Sequence, residues 1–283
     1  MTIAVSTTCF RGGSLLAAAL LFAGTLVSQE LLVVRRPASA TDAAATEAAI
    51  PCPERSQIVR LSPDGSERLL TDGFIAACDP AVSFDGRQIL FAGCRSSTDR
   101  LQIWRMDVDG GAAVRITDDP GDAFAPLWVG SLFHLNDDAP TERVAYLATG
   151  HGWIDRRTGS PIAALYTSDL DGGNPRRISY HPSSVLAPDV LANGRLLFAA
   201  WRGTPGENGG SRRALMGINN DGTDLMAFHD NHDGPPDPHS VRVGRDGRVY
   251  FVEADGTAPL GGGDLAYVTL RRPLHSRTLF AAS

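Results

Sequence analysis

Three histidines and three aspartates lie together in the segment His229-Asp-Asn-His-Asp-Gly-Pro-Pro-Asp-Pro-His239. Imidazole and carboxylate groups are the ligands that proteins offer to zinc and other divalent ions. The spacing of the histidines, at positions 229, 232 and 239, matches no compact metal-binding motif. Two interpretations therefore stay open. Either His229, His232 and His239 bind a divalent metal, or the segment is a polar surface loop.

The cysteines offer a second kind of chemistry, because Cys52, Cys78 and Cys94 could form a disulfide in an oxidising compartment. If the Asp85-Gly86 pair forms a hairpin turn, Cys78 lies opposite residue 93 or 94 on the neighbouring strand. We therefore expect a disulfide between Cys78 and Cys94. The alternatives are two free thiols, or pairing of either cysteine with Cys52.

Ligand contact is a third function that particular residues could serve. Trp153 lies beside His151 in a predicted loop insertion, where an aromatic ring can be exposed to a ligand. Asp233 and Asp237 belong to another predicted loop, and we count these four residues as candidates for a ligand-binding face. Two Asp-x-Asp-Gly-Gly segments superficially resemble calcium loops. They lack the glutamate that closes an EF-hand, so hairpin turns explain them better.

Composition and missing motifs exclude several function classes. All 26 basic residues are arginine, so chemistry that needs a lysine amine, such as a Schiff base or a Walker-type phosphate loop, is excluded. The net charge of -6 and the scattered arginines argue against a nucleic-acid partner. The chain has no Gly-x-Ser-x-Gly nucleophile motif and no Cys-x-x-Cys-His haem-attachment motif. We predict no catalytic residue and no resident cofactor, with a divalent metal as the alternative.

The N-terminal 40 residues resemble an export signal. Arg11 precedes an apolar run from Ser14 to Val27, and Ala38-Ser39-Ala40 suits a signal peptidase. We therefore expect residues 1–40 to direct export to the periplasm or beyond, with an uncleaved membrane anchor as the alternative. Residues 41–56 read as a flexible leader before a folded domain over 57–283.

An internal repeat fills that domain. Each repeat contains short apolar strands joined by Asp-Gly or Asn-Gly pairs, which are strong hairpin signals in type I′ turns. A second feature is a strand with proline near its start, as in Asp79-Pro80. The paired turn residues begin at Asp64, Asp85, Asp109, Asp171, Asn193, Asp221 and Asp246. Serial four-stranded antiparallel units without helices predict an all-β protein, specifically a β-propeller.

The repeat resembles the TolB-type propeller repeat, in which the proline-bearing strand is innermost. Within that group its sequence is most similar to the middle propeller domain of the hydrazine synthase alpha subunit. This resemblance implies full blades over residues 79–117, 125–179, 187–228 and 239–280. Residues 57–71 would then be two outer strands of an incomplete blade. We therefore expect about four full blades and a ring that is incomplete at its C-terminal end.

The function expected from these observations is an exported, non-enzymatic propeller that binds a protein partner or a small ligand through its loops. The alternative is an enzyme component, either a truncated propeller like that of hydrazine synthase alpha or a metal-dependent enzyme. Open sheet edges also make self-association an expected property.

Overall fold

The structure is a computed structural model, and it describes residues 3–6, 30–36, 52–132, 138–139, 141–155, 158–202, 212–230, 237–254 and 263–280. These residues form five four-stranded sheets, and we call each sheet a blade. The prediction of an all-β propeller is confirmed. Among the described residues there is no α-helix with the length and apolar character that a membrane crossing requires.

The strands follow one another in chain order within every blade. Blade 1 consists of β1 (Ile3–Ser6), β2 (Glu30–Arg35), β3 (Gln57–Leu61) and β4 (Glu67–Leu69). Blade 2 consists of β5 (Ala76–Val82), β6 (Gln88–Cys94), β7 (Gln102–Asp107) and β8 (Val114–Arg115). Blade 3 consists of β9 (Ala123–Leu132), β10 (Thr141–Ala148), β11 (Ala164–Asp169) and β12 (Arg176–Arg177). Blade 4 consists of β13 (Val185–Val190), β14 (Leu196–Arg202), β15 (Arg212–Ile218) and β16 (Met226–His229). Blade 5 consists of β17 (Asp237–Val243), β18 (Arg248–Ala254), β19 (Asp264–Thr269) and β20 (Thr278–Leu279).

Blades 2 to 5 match the four predicted blades to within a few residues, and all their strand pairs are antiparallel. The expectation that residues 57–71 lack inner strands is wrong. β2 pairs antiparallel with β3, and β1 pairs parallel with β2. The inner strands of blade 1 thus come from the N-terminal side, from residues assigned to the export signal. Most of that signal and of the expected leader lies outside the described residues.

The alternation of residues in β2 explains why it forms a strand. Leu32 and Val34 are fully buried and pack in the same apolar cluster as Ile58, whereas Leu31 and Val33 are only partly buried. This two-residue period is the signature of a strand with one face against a core. In the sequence the same residues extend a long apolar run, which favoured a signal or anchor.

The hydrophobic core lies between the blades rather than inside one central volume. One cluster joins blades 1, 2 and 3, a second joins blades 3 and 4, and a third joins blades 4 and 5. Phe91, Phe198 and Phe251 are among the largest fully buried side chains, and each lies on the second strand of its blade. These phenylalanines belong to the clusters that join neighbouring blades.

A β-bulge recurs on the innermost strand of blades 2 to 5. The pairing with the second strand shifts at the same point in each blade. The bulge residues have positive φ, and they are Asp79, Ala125, Ala187 and Ser240. In three of the four, proline follows directly, because a bulge is a place where a strand can lose an amide donor. The proline near the start of the predicted strand thus marks this bulge.

The Asp-Gly and Asn-Gly pairs form turns as predicted, but the turn type differs. The glycines have positive φ, for example 82° at Gly65 and 75° at Gly86, whereas Asp64 and Asp85 do not. A type I′ turn would need positive φ at both residues. Instead the Asp64 carboxylate accepts a hydrogen bond from the Ser66 amide at 2.8 Å, which is an Asx turn.

These connections give blades 2 to 5 two different ends. We call the end with the connections between strands 1 and 2 and between strands 3 and 4 the turn end, because it carries the Asp-Gly and Asn-Gly turns. We call the opposite end the loop end. It carries the connections between strands 2 and 3 and those that lead to the next blade, including residues 149–163 and 178–184.

Candidate functional site

Two loops of blade 3 meet at the loop end. The loop between β10 and β11 contains a small hairpin, in which Ile154 bridges to Pro161 and the Ile162 amide donates to the Trp153 carbonyl at 2.9 Å. Asp155 is buried, and its carboxylate accepts a hydrogen bond from the amide of Ser184, in the loop that leads to blade 4, at 3.1 Å. This bond fixes the two loops to each other.

An arginine stacked between two exposed aromatic rings forms the centre of the site. The Arg177 guanidinium carbon lies 4.8 Å from the Trp153 ring centroid and 5.1 Å from the Tyr180 ring centroid. Trp153 is 56% exposed and Tyr180 is 73% exposed. Stacking on aromatic faces holds a guanidinium in one orientation and leaves its edge able to donate hydrogen bonds. We call Trp153, Arg177 and Tyr180 the arginine sandwich.

Arg177 is half-buried, and within the described part of the chain it forms no ion pair with a carboxylate. Its Nε donates to the Ser179 carbonyl at 2.6 Å, which fixes the direction of the guanidinium. A fixed cation beside two apolar rings can bind a ligand that has a carboxylate next to an apolar face or a sugar ring.

His151 borders the sandwich but is engaged by its neighbours. Its Nε2 lies 3.0 Å from Oδ2 of Asp119, in the loop before β9, and its ring stacks on Tyr166 at 4.7 Å. Tyr166 in turn stacks on Tyr146. Burial raises the pKa of Tyr146 to about 12 and also raises the pKa of Tyr166. Both phenols are therefore neutral near pH 7, and the stack acts as a support for the loop.

Five predicted metal and ligand-face residues lie in the segment from 229 to 239, and the structure describes three of them, His229, Asp237 and His239. His232 and Asp233 lie outside the described residues, and Asp237 is the first residue of β17. His229 and His239 are both buried, at the end of β16 and on β17. Within the described ranges no three histidine, cysteine, aspartate or glutamate side chains are grouped as metal ligands.

His229 links two blades. Its Nδ1 lies 2.6 Å from the Pro273 carbonyl in the β19–β20 turn, and its ring packs against Phe251. Burial lowers the pKa of His229, so the neutral ring is favoured and Nδ1 is the donor. The side chain is 3% exposed, and its Nε2 has no hydrogen-bond partner among the described residues. His239 has Nδ1 3.0 Å from the Ser240 hydroxyl.

The expected Cys78–Cys94 disulfide is wrong. Cys78 is bonded to Cys52, with Cα atoms 5.6 Å apart, and Cys94 is a free thiol whose pKa is raised by burial. In the observed register Cys78 faces Ala92 and Cys94 faces Ala76, so the two cysteines are diagonal neighbours. Diagonal Cα atoms are about 7–8 Å apart, which is too far for a disulfide. The Cys52–Cys78 bond joins blade 1 to blade 2.

Two aspartates on innermost strands connect neighbouring blades. Oδ2 of Asp79 accepts a hydrogen bond from the Ala125 amide at 3.2 Å, and Oδ2 of Asp189 accepts one from the Val243 amide at 2.8 Å. Burial raises the pKa of both carboxyl groups. Arg36 and Arg242 act against this shift at Asp79. Because these charges come from blades 1 and 5, Asp79 lies near the centre of the blade arrangement.

Sequence reasoning missed two members of the arginine sandwich, Arg177 and Tyr180. A signal was present inside the repeat. In blades 1, 2 and 4 a hydroxyl or imidazole residue at or just after the end of the outer strand is followed by aspartate, at positions 72, 118 and 230, whereas blade 3 has Tyr180. An aromatic residue in place of a recurring aspartate indicates that blade 3 departs from the repeat at this position.

Known proteins were compared with the chain as a whole. No protein-family model matches it. Hydrazine synthase subunit alpha of Kuenenia stuttgartiensis is 26% identical over an alignment of length 226, and the match covers 64% of the chain and 28% of that protein. The structure of hydrazine synthase from the same organism superposes with a TM-score of 0.77 at 21% identity, covering 89% of the chain and 39% of its own chain. The chain shares the fold of the matched part of hydrazine synthase.

TolB structures share this fold too. A TolB-type protein from Agrobacterium tumefaciens matches with a TM-score of 0.57 at 15% identity, covering 79% of the chain and 73% of its own chain. An oligogalacturonate lyase in complex with manganese matches with a TM-score of 0.52 at 12% identity, covering 78% of the chain and 58% of its own. The chain spans less than a third of the length of the hydrazine synthase subunit, so only the propeller part is compared. The expected resemblance to hydrazine synthase and TolB propellers is confirmed.

Proposed function

We propose that the protein is a binding module whose ligand contacts the loop end of blade 3. The observation that carries this proposal is the arginine sandwich, in which Arg177 lies between two exposed aromatic rings. Exposed tryptophan and tyrosine side chains beside a fixed guanidinium are the groups that recognise a planar or ring-shaped anionic ligand. The ligand class is therefore a small molecule with a carboxylate beside an apolar or sugar-ring face.

The proposal is tested by titrating the protein with carboxylated saccharides, and oligogalacturonate is the first probe because two matched structures are oligogalacturonate lyases. We expect Trp153→Ala and Arg177→Gln each to weaken binding at least tenfold. Phe84→Ala is the matched control, because Phe84 is an exposed aromatic residue at the turn end of blade 2. Equal affinity in all three variants, or no binding of any carboxylated probe, would contradict the proposal.

A metal-dependent role is the second candidate, and His229 is the observation that favours it. A carbonyl that holds one ring nitrogen and leaves the other without a hydrogen bond is a common arrangement around metal-ligating histidines. His232 and His239 would supply further imidazoles. Elemental analysis of purified protein tests this candidate. A stoichiometric transition metal that is lost in His232→Ala supports it, and a metal-free folded protein rules it out.

We also propose export, on the pattern of residues 1–40, with retention of β2 in the mature chain. Cleavage after Ala40 would remove β2 and with it Leu32 and Val34 from the core. The mass of the protein recovered from the periplasm tests this proposal. A mass that includes Glu30–Arg35 is expected, and a chain that begins at residue 41 would contradict it.

A further inference from the structure

Consecutive blades share one recurring contact. The turn between the third and fourth strands of a blade lies against the end of the outer strand of the preceding blade. A Cβ added at Gly110 would lie 3.4 Å from Leu70 Cδ2, and one at Gly222 would lie 3.2 Å from Ile178 Cβ. At Gly172 it would lie 1.9 Å from the Ile116 carbonyl oxygen. In blade 5 the equivalent turn is longer, and Pro273 meets His229 instead.

Among the described residues, this contact is missing at the corresponding turn of blade 1 and at the outer-strand end of blade 5. Gly65 lies in the corresponding turn of blade 1, and a Cβ added there would meet no atom within 4 Å. Phe280 follows the outer strand of blade 5, and its amide donates to the Leu265 carbonyl as the Ile116 amide donates to Ile103. Its side chain is 46% exposed. Within the described ranges, neither the blade 1 turn nor the outer-strand end of blade 5 takes part in the recurring contact.

The sheet faces beside these two positions carry apolar side chains. On blade 1 the register places Val33, Val59 and Leu69 on one face, opposite the face that Leu32 and Val34 turn towards blade 2. Leu69 is 48% exposed, whereas Val59 is buried, and Arg35 and Glu67 form an ion pair on the same face. We call this the blade 1 outer face.

On blade 5, Tyr250, Tyr267 and Phe280 form an aromatic cluster with ring centroids 5.4 to 6.0 Å apart. By the strand register they lie on the opposite face of the sheet from Val249 and Phe251, which pack towards blade 4. We call this cluster the blade 5 outer face. Among the described strands, extensive strand contacts join each blade to the next, and no contact of that extent joins blade 5 to blade 1.

We propose that a second copy of this chain covers these faces, with blade 5 of one copy packed on blade 1 of the other. The chain itself carries both complementary halves of the recurring contact, the Gly65 turn and the Phe280 end. Each half also has an exposed apolar side chain, Leu69 on blade 1 and Phe280 on blade 5. Because two different patches meet, the interface is heterologous.

The oligomeric state of the full chain, followed by sedimentation velocity and light scattering between about 1 and 100 µM, tests this proposal. We expect concentration-dependent assembly. Phe280→Arg and Leu69→Arg are each expected to weaken it at least tenfold, since each places an arginine on one outer face. Phe84→Arg is the control, because Phe84 is 76% exposed at the turn end of blade 2 and touches neither face. Circular dichroism shows whether each variant remains folded.

Mixing the two variants separates head-to-tail packing from other association. The Leu69→Arg copy keeps its blade 5 face, and the Phe280→Arg copy keeps its blade 1 face. An equimolar mixture is therefore expected to form a heterodimer at concentrations where each variant alone is monomeric. A wild-type chain that stays monomeric at 100 µM would overturn the proposal. So would assembly that both variants leave unchanged, or a mixture of the two variants that fails to assemble.

Discussion

The turn end and the loop end of the blades differ in what their residues do. At the turn end short Asp-Gly and Asn-Gly connections recur in every blade, and the positive-φ glycines 110, 172 and 222 lie against the neighbouring blade. At the loop end the connections differ from blade to blade, and blade 3 exposes Trp153 and Tyr180 there. The comparison teaches that the repeat maintains the fold at one end and leaves the other end free for recognition.

The largest effect that would test this division is expected at Gly172. Gly172→Ala combines a backbone conformation with φ of 90° with a Cβ only 1.9 Å from the Ile116 carbonyl. We expect the free energy of unfolding to fall by about 4 kcal/mol, measured by urea denaturation. Gly65→Ala is the matched control, since its φ is 82° but nothing lies within 4 Å. It should cost only about 1 kcal/mol. Equal losses would show that the turn contacts do not stabilise the blade boundaries.

The second effect concerns the covalent bond between blades 1 and 2. Cys52→Ser removes a disulfide that spans 26 residues, and we expect a loss of about 3 kcal/mol in the free energy of unfolding. Cys94→Ser should change stability little, because that thiol is not bonded. Mass spectrometry of peptides from the oxidised protein gives an independent check. A Cys78–Cys94 peptide in the wild-type protein would contradict the observed pairing.

The smallest effect is a pH dependence at the boundary between blades 4 and 5. Burial lowers the pKa of His229 below its ordinary value of 6.5, so the unfolded chain binds a proton more readily than the folded one. The stability that this histidine contributes is therefore present above pH 6.5 and is lost as the pH falls below it. Urea denaturation at pH 7.5 and 5.5 should show a smaller loss in His229→Gln than in the wild type.

Two other histidines serve as comparisons for that measurement. His181 also has a pKa lowered by burial, so His229→Gln should retain part of the pH dependence. His275 is exposed, and His275→Gln should leave the wild-type dependence unchanged. If His229→Gln behaves like His275→Gln, the proposed neutral state of His229 is wrong.

The sequence predicted the parts of the fold that repeat. Turn residues such as Asp85 and Asp171 identified the hairpins, and the prolines identified the innermost strands, because both depend on local backbone geometry. Blade 1 was missed since β2 lies beside a long apolar run and pairs with β3 across more than twenty residues. The disulfide was assigned wrongly because a bulge at Asp79 shifts the register between β5 and β6.

The candidate site was predictable only in part. Trp153 could be identified because it lies in an insertion that interrupts the repeat. Arg177 ends β12, and Tyr180 lies in the loop that leads to blade 4. The hydrogen bond from the Ser184 amide to Asp155 holds this loop beside the one that carries Trp153. That contact depends on how two loops pack, and no local pattern of residues encodes it.

Hydrogen–deuterium exchange with and without a bound carboxylated saccharide would test the division between the two ends most directly. We expect the ligand to slow exchange in peptides that cover residues 149–155 and 176–184, at the loop end of blade 3. Peptides that cover the turns at Gly86 and Gly194 should exchange at the same rate in both samples. Protection confined to the turn end, or to blades other than blade 3, would contradict the account.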